Sequence, residues 1–433
     1  MPAGMSNRVE YLGLDFGTSN IVAGWSDPDR SPSTFRFKTE HSESENFPTL
    51  LHVQTGTNAR RPEISAGPWA LEAYLQTGTG RLIQSIKSFV ATRSFTGTRI
   101  AGRQYDVEDL IGLILRIVRE KIEGELGPVG HAVWAGRPVR FAGAKADEAL
   151  ALDRLRAAYA QAGWTDVTFV LEPVAAAYHY GREIDTRCRI VVADLGAGTS
   201  DFSVLEAAPA TPEGQSRMEV LATTGVGIAG DNFDARIVQH VLAPEFGSNT
   251  HYTALDGKQL PMPRWLFSQL ARWHHVSFLK SPETLRLIRE LRRTSDAPDK
   301  LDALHDLIEH DLAFNMYRAV SGAKIALSQQ EEAHLALELG SRTISRTVRR
   351  RDFERWIAED ISRIETTLDG ALAQAAVSAD SVSRVFMTGG TSYVPAVRRL
   401  FERRFGAERL VFGDAFVSVA RGLAVMAARG SSR

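Results

Sequence analysis

Leu14-Asp15-Phe16-Gly17-Thr18-Ser19 and, much later in the chain, Ala193-Asp194-Leu195-Gly196-Ala197-Gly198-Thr199-Ser200-Asp201 are loose copies of one phrase. Each copy sits between two β-prone apolar runs. Val9–Phe16 leads into the first and Ile21–Trp25 leaves it; Ile190–Leu195 and Phe202–Leu205 flank the second. Each copy puts an acid at a strand end, then glycine, then threonine. Glycine lets a backbone turn tightly and approach an anion. Successive N–H groups in such a turn form an anion-binding concavity, and the hydroxyls of Thr18, Ser19 and Thr199 add donors. One such turn alone is also what an ordinary β-hairpin uses. Two copies, with a third glycine turn at Gly389-Gly390-Thr391, predict a duplicated fold whose matching turns grip a polyphosphate from both ends. A pair is too few for a stacked-repeat protein.

Working outward, strand-like runs recur at Thr49–Val53, Ala132–Ala135, Val167–Leu171, His334–Leu339 and Val382–Met387. Helical periodicity marks Val107–Ile122 and Asp147–Ala162. Strands alternating with such helices predict an α/β architecture. From Val241 to Asn315 the texture changes, with prolines at 244, 261, 263, 282 and 298. Helices are expected there over Leu266–Phe278, Pro282–Arg293 and Asp299–Tyr317, as a helical insertion at about 242–315. Further helices are expected over Asp352–Gln374 and Phe416–Ala428. The expected lobes are 6–180 and 186–428, the insertion belonging to the second.

Composition bounds the function. Of the 433 residues 44% are hydrophobic and 24% charged, which excludes wholesale disorder. Lys and Arg number 51 against 52 Asp and Glu, a net charge of -1, so no global field draws nucleic acid or an anionic membrane. No run approaches the roughly 18 apolar residues of a membrane span, and the first residues lack a signal-peptide pattern. The single cysteine, Cys188, excludes an internal disulfide. Together these features predict a cytoplasmic protein without nucleic-acid or membrane partners. Trp265, Trp273, His274 and His275 read as the aromatic core of a small helical subdomain, since adjacent helical histidines point apart. Arg286–Arg293 reads as an amphipathic solvated helix. Zinc spacing, a nucleophile elbow and a Gly-x-x-x-x-Gly-Lys-Ser/Thr loop are all missing.

Six motifs, in order, resemble the nucleotide-binding domain of the Hsp70 family, within the actin/Hsp70/sugar-kinase superfamily. They are Gly13–Asn20, Leu171-Glu172-Pro173-Val174-Ala175-Ala176-Ala177, Asp194–Asp201, Gly227-Ile228-Ala229-Gly230-Asp231-Asn232-Phe233-Asp234, Ala323-Lys324-Ile325-Ala326-Leu327-Ser328 and Thr388-Gly389-Gly390-Thr391-Ser392-Tyr393-Val394-Pro395. The insertion and Gly136-Arg137-Pro138-Val139 look most like the YegD-type branch, which lacks a peptide-binding domain. The resemblance implies a two-lobed actin-like ATPase fold binding ATP or ADP with Mg²⁺. It also implies slow hydrolysis used as a nucleotide-controlled switch, and a protein partner or co-chaperone-like regulator.

Residue by residue, the resemblance implies that Asp15 and Asp194 hold the magnesium shell. Gly17, Thr18, Ser19 and Asn20 form one phosphate loop and Gly196, Ala197, Gly198 and Thr199 the other. Lys87 and Glu172, with Asp194 and Asp201, carry the catalysis, while Gly230, Lys324, Ser328, Gly389, Gly390 and Thr391 hold the nucleoside. Ser321 and Ile325 replace a family acid and a base-stacking arginine, and Ala197 replaces a loop glycine. Other readings remain at three positions: Lys87 as a surface lysine, Glu172 as a helix-start acid before Pro173, and Pro138 as a strand terminator rather than an interlobe switch. Two other functions share the fold: a small-molecule kinase using Asp201 as base, and a nucleotide-binding scaffold that does not hydrolyse.

Overall fold

The computed structural model describes residues 11–26, 31–54, 62–77, 80–100, 102–143, 145–180, 186–210, 216–271, 276–340, 342–412 and 417–430. Trp273, His274 and His275 lie outside them. Two β-sheets organise the chain. The first runs Asp166–Leu171, Ala132–Arg137, Tyr11–Phe16, Asn20–Ser26, Ser33–Thr34 in space, and Phe47–Pro48 also pairs with Asn20–Ser26. The second runs Ser216–Val226, Ser200–Ala210, Cys188–Leu195, Arg384–Thr388, Leu410–Phe412. In each, the first three strands in chain order form an antiparallel meander. The next two add in parallel on the other side of the first strand. The topology is therefore duplicated, and the expected α/β class is what the structure has. Parallel strands covered on both faces read as near-continuous apolar runs, as Ile190–Ala193, fully buried, does.

Register makes the duplication exact at the turns. Phe16 pairs with Ile21 and Leu195 with Ser200. Gly17 N–H donates to Asn20 O at 2.9 Å, and Gly196 N–H to Thr199 O at 3.0 Å. Gly17, Thr18, Ser19 and Asn20 thus match Gly196, Ala197, Gly198 and Thr199 one to one. Thr18 and Thr199, which the sequence repeat aligns, are not equivalent: Thr18 matches Ala197, and Thr199 matches Asn20.

Beneath the first sheet, Leu14, Phe16, Val133 and Ala135 share one core with Leu110, Ile114 and Val118 of helix Val107–Leu126 and Leu155 and Ala158 of helix Glu148–Gln161. Each half ends in a helix, Glu172–Tyr180 and Ser418–Gly430. These two pack on each other, and each also packs on the sheet of the other half. The approach is close enough to need glycine: a Cβ on Gly422 would stand 1.8 Å from the Ala175 carbonyl oxygen, and one on Gly24 2.2 Å from that of Ala420.

The chain forms two compact units, one of Met1–Ala229, Arg363–Ser392 and Val397–Arg433, the other of Gly230–Ser362 and Tyr393–Ala396. Both sheets belong to the first. The second contains helix Gly230–Ile237, a short hairpin of His251–Thr253 and Gln259–Pro261, a run of helices, and the hairpin of Glu332–Leu339 and Arg342–Arg349. The insertion expected at 242–315 falls inside this unit.

Three expected helices are broken. Asp299–Tyr317 is two helices, Pro298–Glu309 and Ala313–Gln329, parted where Asp311 takes a left-handed φ of 55°; aspartate tolerates that conformation better than most residues. Asp352–Gln374 divides at Ile357 into Arg350–Trp356 and Ala358–Gln374. In place of Leu266–Phe278, Arg264–Leu270 ends early and Val276–Leu279 forms a separate turn. Among the described residues no helix is long and apolar enough to cross a membrane.

Candidate functional site

Lys87 stands on the 3-10 turn Ile86–Phe89, entered through Ser85, whose φ of 53° is left-handed. Its side chain is only 7% exposed, and Nζ donates to Glu172 Oε1 at 2.8 Å. That excludes the surface-lysine reading. The Phe16 ring lies 6.0 Å from the ammonium. Glu172 is indeed the first residue of its helix, as its Pro173 neighbour predicts, but its carboxylate is committed to Lys87. Asp15 and Asp194 occupy matching penultimate positions in their strands. The bare backbone of Gly136 lies alongside: a Cβ there would be 3.1 Å from Glu172 Cγ and 3.4 Å from Asp15 Oδ1.

Asp201 faces Asp194 across the second hairpin and is 1% exposed. Its Oδ1 accepts from the N–H groups of Val139 at 3.0 Å and Arg140 at 3.4 Å, next to Pro138. Its Oδ2 is buried with no hydrogen-bond partner. Gly225, opposite in the third strand, leaves it room, since a Cβ there would stand 2.2 Å from Oδ1.

The two glycine turns meet. A Cβ on Gly198 would stand 3.2 Å from Thr18 Oγ1. Each turn is braced through its glycine carbonyl by a threonine from another segment: Thr49 Oγ1 donates to Gly17 O at 2.9 Å, and Thr391 Oγ1 to Gly196 O at 2.6 Å. Thr49 N–H also donates to Ser19 O at 2.8 Å. Gly389, at φ 82°, passes so close to Leu195 that a Cβ would stand 2.1 Å from its carbonyl oxygen. Ala197 has no positive φ, so its methyl replaces glycine without backbone strain. Thr49 and Gly225 escape sequence reasoning. Thr49 is simply the first residue of an expected strand, and Gly225 carries no motif.

The electrostatics follow from burial. Burial raises Asp15 well above the usual carboxylate range, helped by Glu172 and opposed by Lys87. Asp194 is raised for the same first reason, then by Glu172 and Asp201. Asp201 is pushed up to about 7 by burial and by Glu172, although the Thr199 hydroxyl and the Val139 and Arg140 amides pull it back. Burial alone would lower Lys87, yet Glu172 and Asp15 leave it raised. Half-buried Asp15 and Asp194 with buried Glu172 and Asp201 outnumber the one buried ammonium of Lys87, and Asp201 Oδ2 is unpartnered, a charge set that a divalent cation satisfies. Among the described residues no three His, Cys, Asp or Glu side chains converge closely enough to ligate a bare ion directly.

Gly230, Lys324 and Ser328 lie in the second unit. Lys324 Nζ donates to Asp234 Oδ2 at 2.7 Å and to Gly230 O at 3.3 Å, and Ser328 Oγ donates back to Lys324 O at 3.3 Å. Ile325, between them, is 60% exposed. The first unit thus gathers Asp15, Lys87, Glu172, Asp194, Asp201 and both turns, together with Gly389, Gly390 and Thr391.

Comparison with known proteins agrees with this geometry. A family profile described as "Hsp70 protein" matches residues 75–263 and 287–431. The chain is 24% identical over 427 residues to the chaperone protein DnaK of Thermosipho melanesiensis and 25% over 433 residues to that of Thermosipho africanus. It is 24% identical over 428 residues to the DnaK of Thermotoga petrophila. Each alignment covers 98% of this chain and 60% of the relative, so the chain spans less than two thirds of their length. With the family profile matched over more than half of its residues, the chain belongs to the Hsp70 family.

Proposed function

We propose that the chain binds ATP and ADP with Mg²⁺ at the paired turns, hydrolyses ATP slowly, and uses nucleotide state to select a surface for a protein partner. One observation carries this reading: two matching glycine turns meet beside a buried lysine and four carboxylates, two of them fully buried. Turn amides and the hydroxyls of Thr18, Ser19 and Thr199 bind phosphate oxygens. Asp15 and Asp194 would hold magnesium through its water shell, and the ion supplies charge neutralisation at the phosphates when bound. Lys87 orients an attacking water from its place on Glu172, and Glu172 fixes the ammonium. Phosphoryl transfer asks mainly for such positioning. Gly389–Thr391 are assigned to the nucleoside. A chaperone-type role, with co-chaperone-like regulation, follows from family membership.

Replacing Asp194 by Asn tests the assignment. Magnesium-dependent ATP turnover should fall by about 10²-fold or more, the usual scale for losing a positioned charge. Unchanged turnover would overturn it. A small-molecule kinase is the second reading, favoured by Asp201: a buried carboxylate near neutral pKa with a free oxygen suits deprotonation of an acceptor hydroxyl. Appearance of phosphorylated metabolites, above a water-only control, would select it.

A further inference from the structure

Helix Glu148–Gln161 carries an arginine where its pattern wants an apolar residue. Ala151, Leu155 and Ala158 are buried along one face, and Arg154, at 9% exposure, shares it. A buried guanidinium has five donors to place. Here the two Nη groups converge on one target. Nη1 donates to the carbonyls of Phe89, Val90 and Thr92, each at 3.2 Å, and Nη2 donates to Phe95 O at 3.1 Å. Glu108 supplies the counter-charge, 3.7 Å from Nε.

The four carbonyls lie at the end of the Lys87 turn and in the chain leaving it. That chain is a string of overlapping bends: Ser88 N–H donates to Ser85 O, Val90 N–H to Lys87 O and Thr92 N–H to Phe89 O. One side chain gives each of these carbonyls a donor; those of Phe89 and Thr92 also accept from the N–H groups of Thr92 and Phe95. The same helix holds the segment at a second point, for Asp147 N–H donates to Ala91 O at 3.0 Å and Arg93 pairs with the Asp147 carboxylate. Ser85, buried in left-handed backbone, is a conformation that persists where the surroundings over-determine it.

We propose that Arg154 is a positioning residue for Lys87: by gathering four main-chain carbonyls it fixes the turn that presents the ammonium to Glu172. Its importance for turnover rests on the role given to Lys87 above; the tether itself does not.

Two full-length variants test it, Arg154→Met and Arg154→Lys. The first readout needs no nucleotide: the rate at which an amine-reactive ester acylates Lys87, followed by mass spectrometry, with exposed Lys121 as internal reference. Labelling of Lys87 should rise about tenfold in Arg154→Met and less in Arg154→Lys, while Lys121 is unchanged, because loosening the turn uncovers the amine. The second is a split between binding and turnover: ATP turnover should fall about tenfold with Kd for ATP within about twofold, as expected when a reacting group is displaced rather than removed. If Lys87→Met retains wild-type turnover, the catalytic role of Lys87 fails, and the labelling rate still decides the tether. Should Arg154→Met not fold, Arg154→Lys carries the measurement. Wild-type labelling of Lys87 in the folded variants overturns the proposal.

Discussion

Where the first hairpin holds Val22 opposite its strand-end aspartate, the second holds Asp201 opposite Asp194. The frames around these two positions are alike: same strand order, same four-residue turn, same threonine brace on the turn glycine. The side chains are not. Val22 clusters with Val417 and Ala420, whereas Asp201 is clasped by two backbone amides from the Pro138–Arg140 segment. Duplication supplied a symmetric cradle, and the chemistry was then divided unequally. The first copy invests this position in apolar packing. The second invests it in charge, and Gly225 keeps the space that the carboxylate needs.

Exchanging the two kinds of residue should break the symmetry most severely. Val22→Asp buries a carboxylate among Val417 and Ala420, and we expect about 5 kcal/mol or more of lost stability in urea unfolding. A loss under about 1 kcal/mol would mean that the first frame can clasp a carboxylate as the second does.

The next effect is pH dependence. Asp201 is near 7 in the fold against an ordinary 3.8, so the folded chain binds that proton more tightly than the unfolded one. This contribution is complete below about pH 4 and is lost as pH rises through about 7, at up to about 1.4 kcal/mol per pH unit. Asp201→Asn should flatten the stability profile over that window, while Asp15, Asp194 and Asp231, all raised as well, keep a residual slope of the same sign. An unchanged slope would show that the two amides already keep Asp201 ionised.

Smaller again is Gly225→Ala, whose new methyl must displace Asp201. A cost of about 1–3 kcal/mol is expected from overpacking, read as a lower melting temperature that is partly restored when Asp201 is also shortened to Ser. Least of all, Ala197→Gly makes the second turn more like a typical family loop. Because Ala197 needs no positive φ, the change should only loosen the unfolded chain, costing about 0.4–1 kcal/mol. A gain in stability would contradict the backbone described for that turn.

The duplicated turns were legible because glycine and strand-end acids stand in short local phrases. The α/β class was legible from the periodicities around them. Strand Ser216–Val226 was not, since its apolar residues Val220, Leu221 and Ala222 stand side by side instead of alternating, and over 219–226 this edge strand is mostly half-exposed. Nor was Arg342–Arg349. Its apolar residues Ile344 and Val348 fall four apart, as on a helix, and Arg342 and Arg346 are held by Asp302 and Glu245. Helix breaks at Asp311 and Ile357 came from single backbone angles that no side-chain pattern announces. At the site, only family resemblance linked Lys87 to Glu172, because residues 85 apart in sequence share no local phrase. Arg154 did leave a trace: an arginine spaced three after Ala151 and four before Ala158, on the face periodicity assigns to the core.

Helix Ser418–Gly430 lies against Tyr11–Phe16 and Asn20–Ser26, with the Gly24 backbone nearly touching Ala420. The first sheet is therefore roofed by a helix that comes far later in the chain. During synthesis that apolar surface stays uncovered until the helix has been made, an interval in which the nascent chain is open to aggregation.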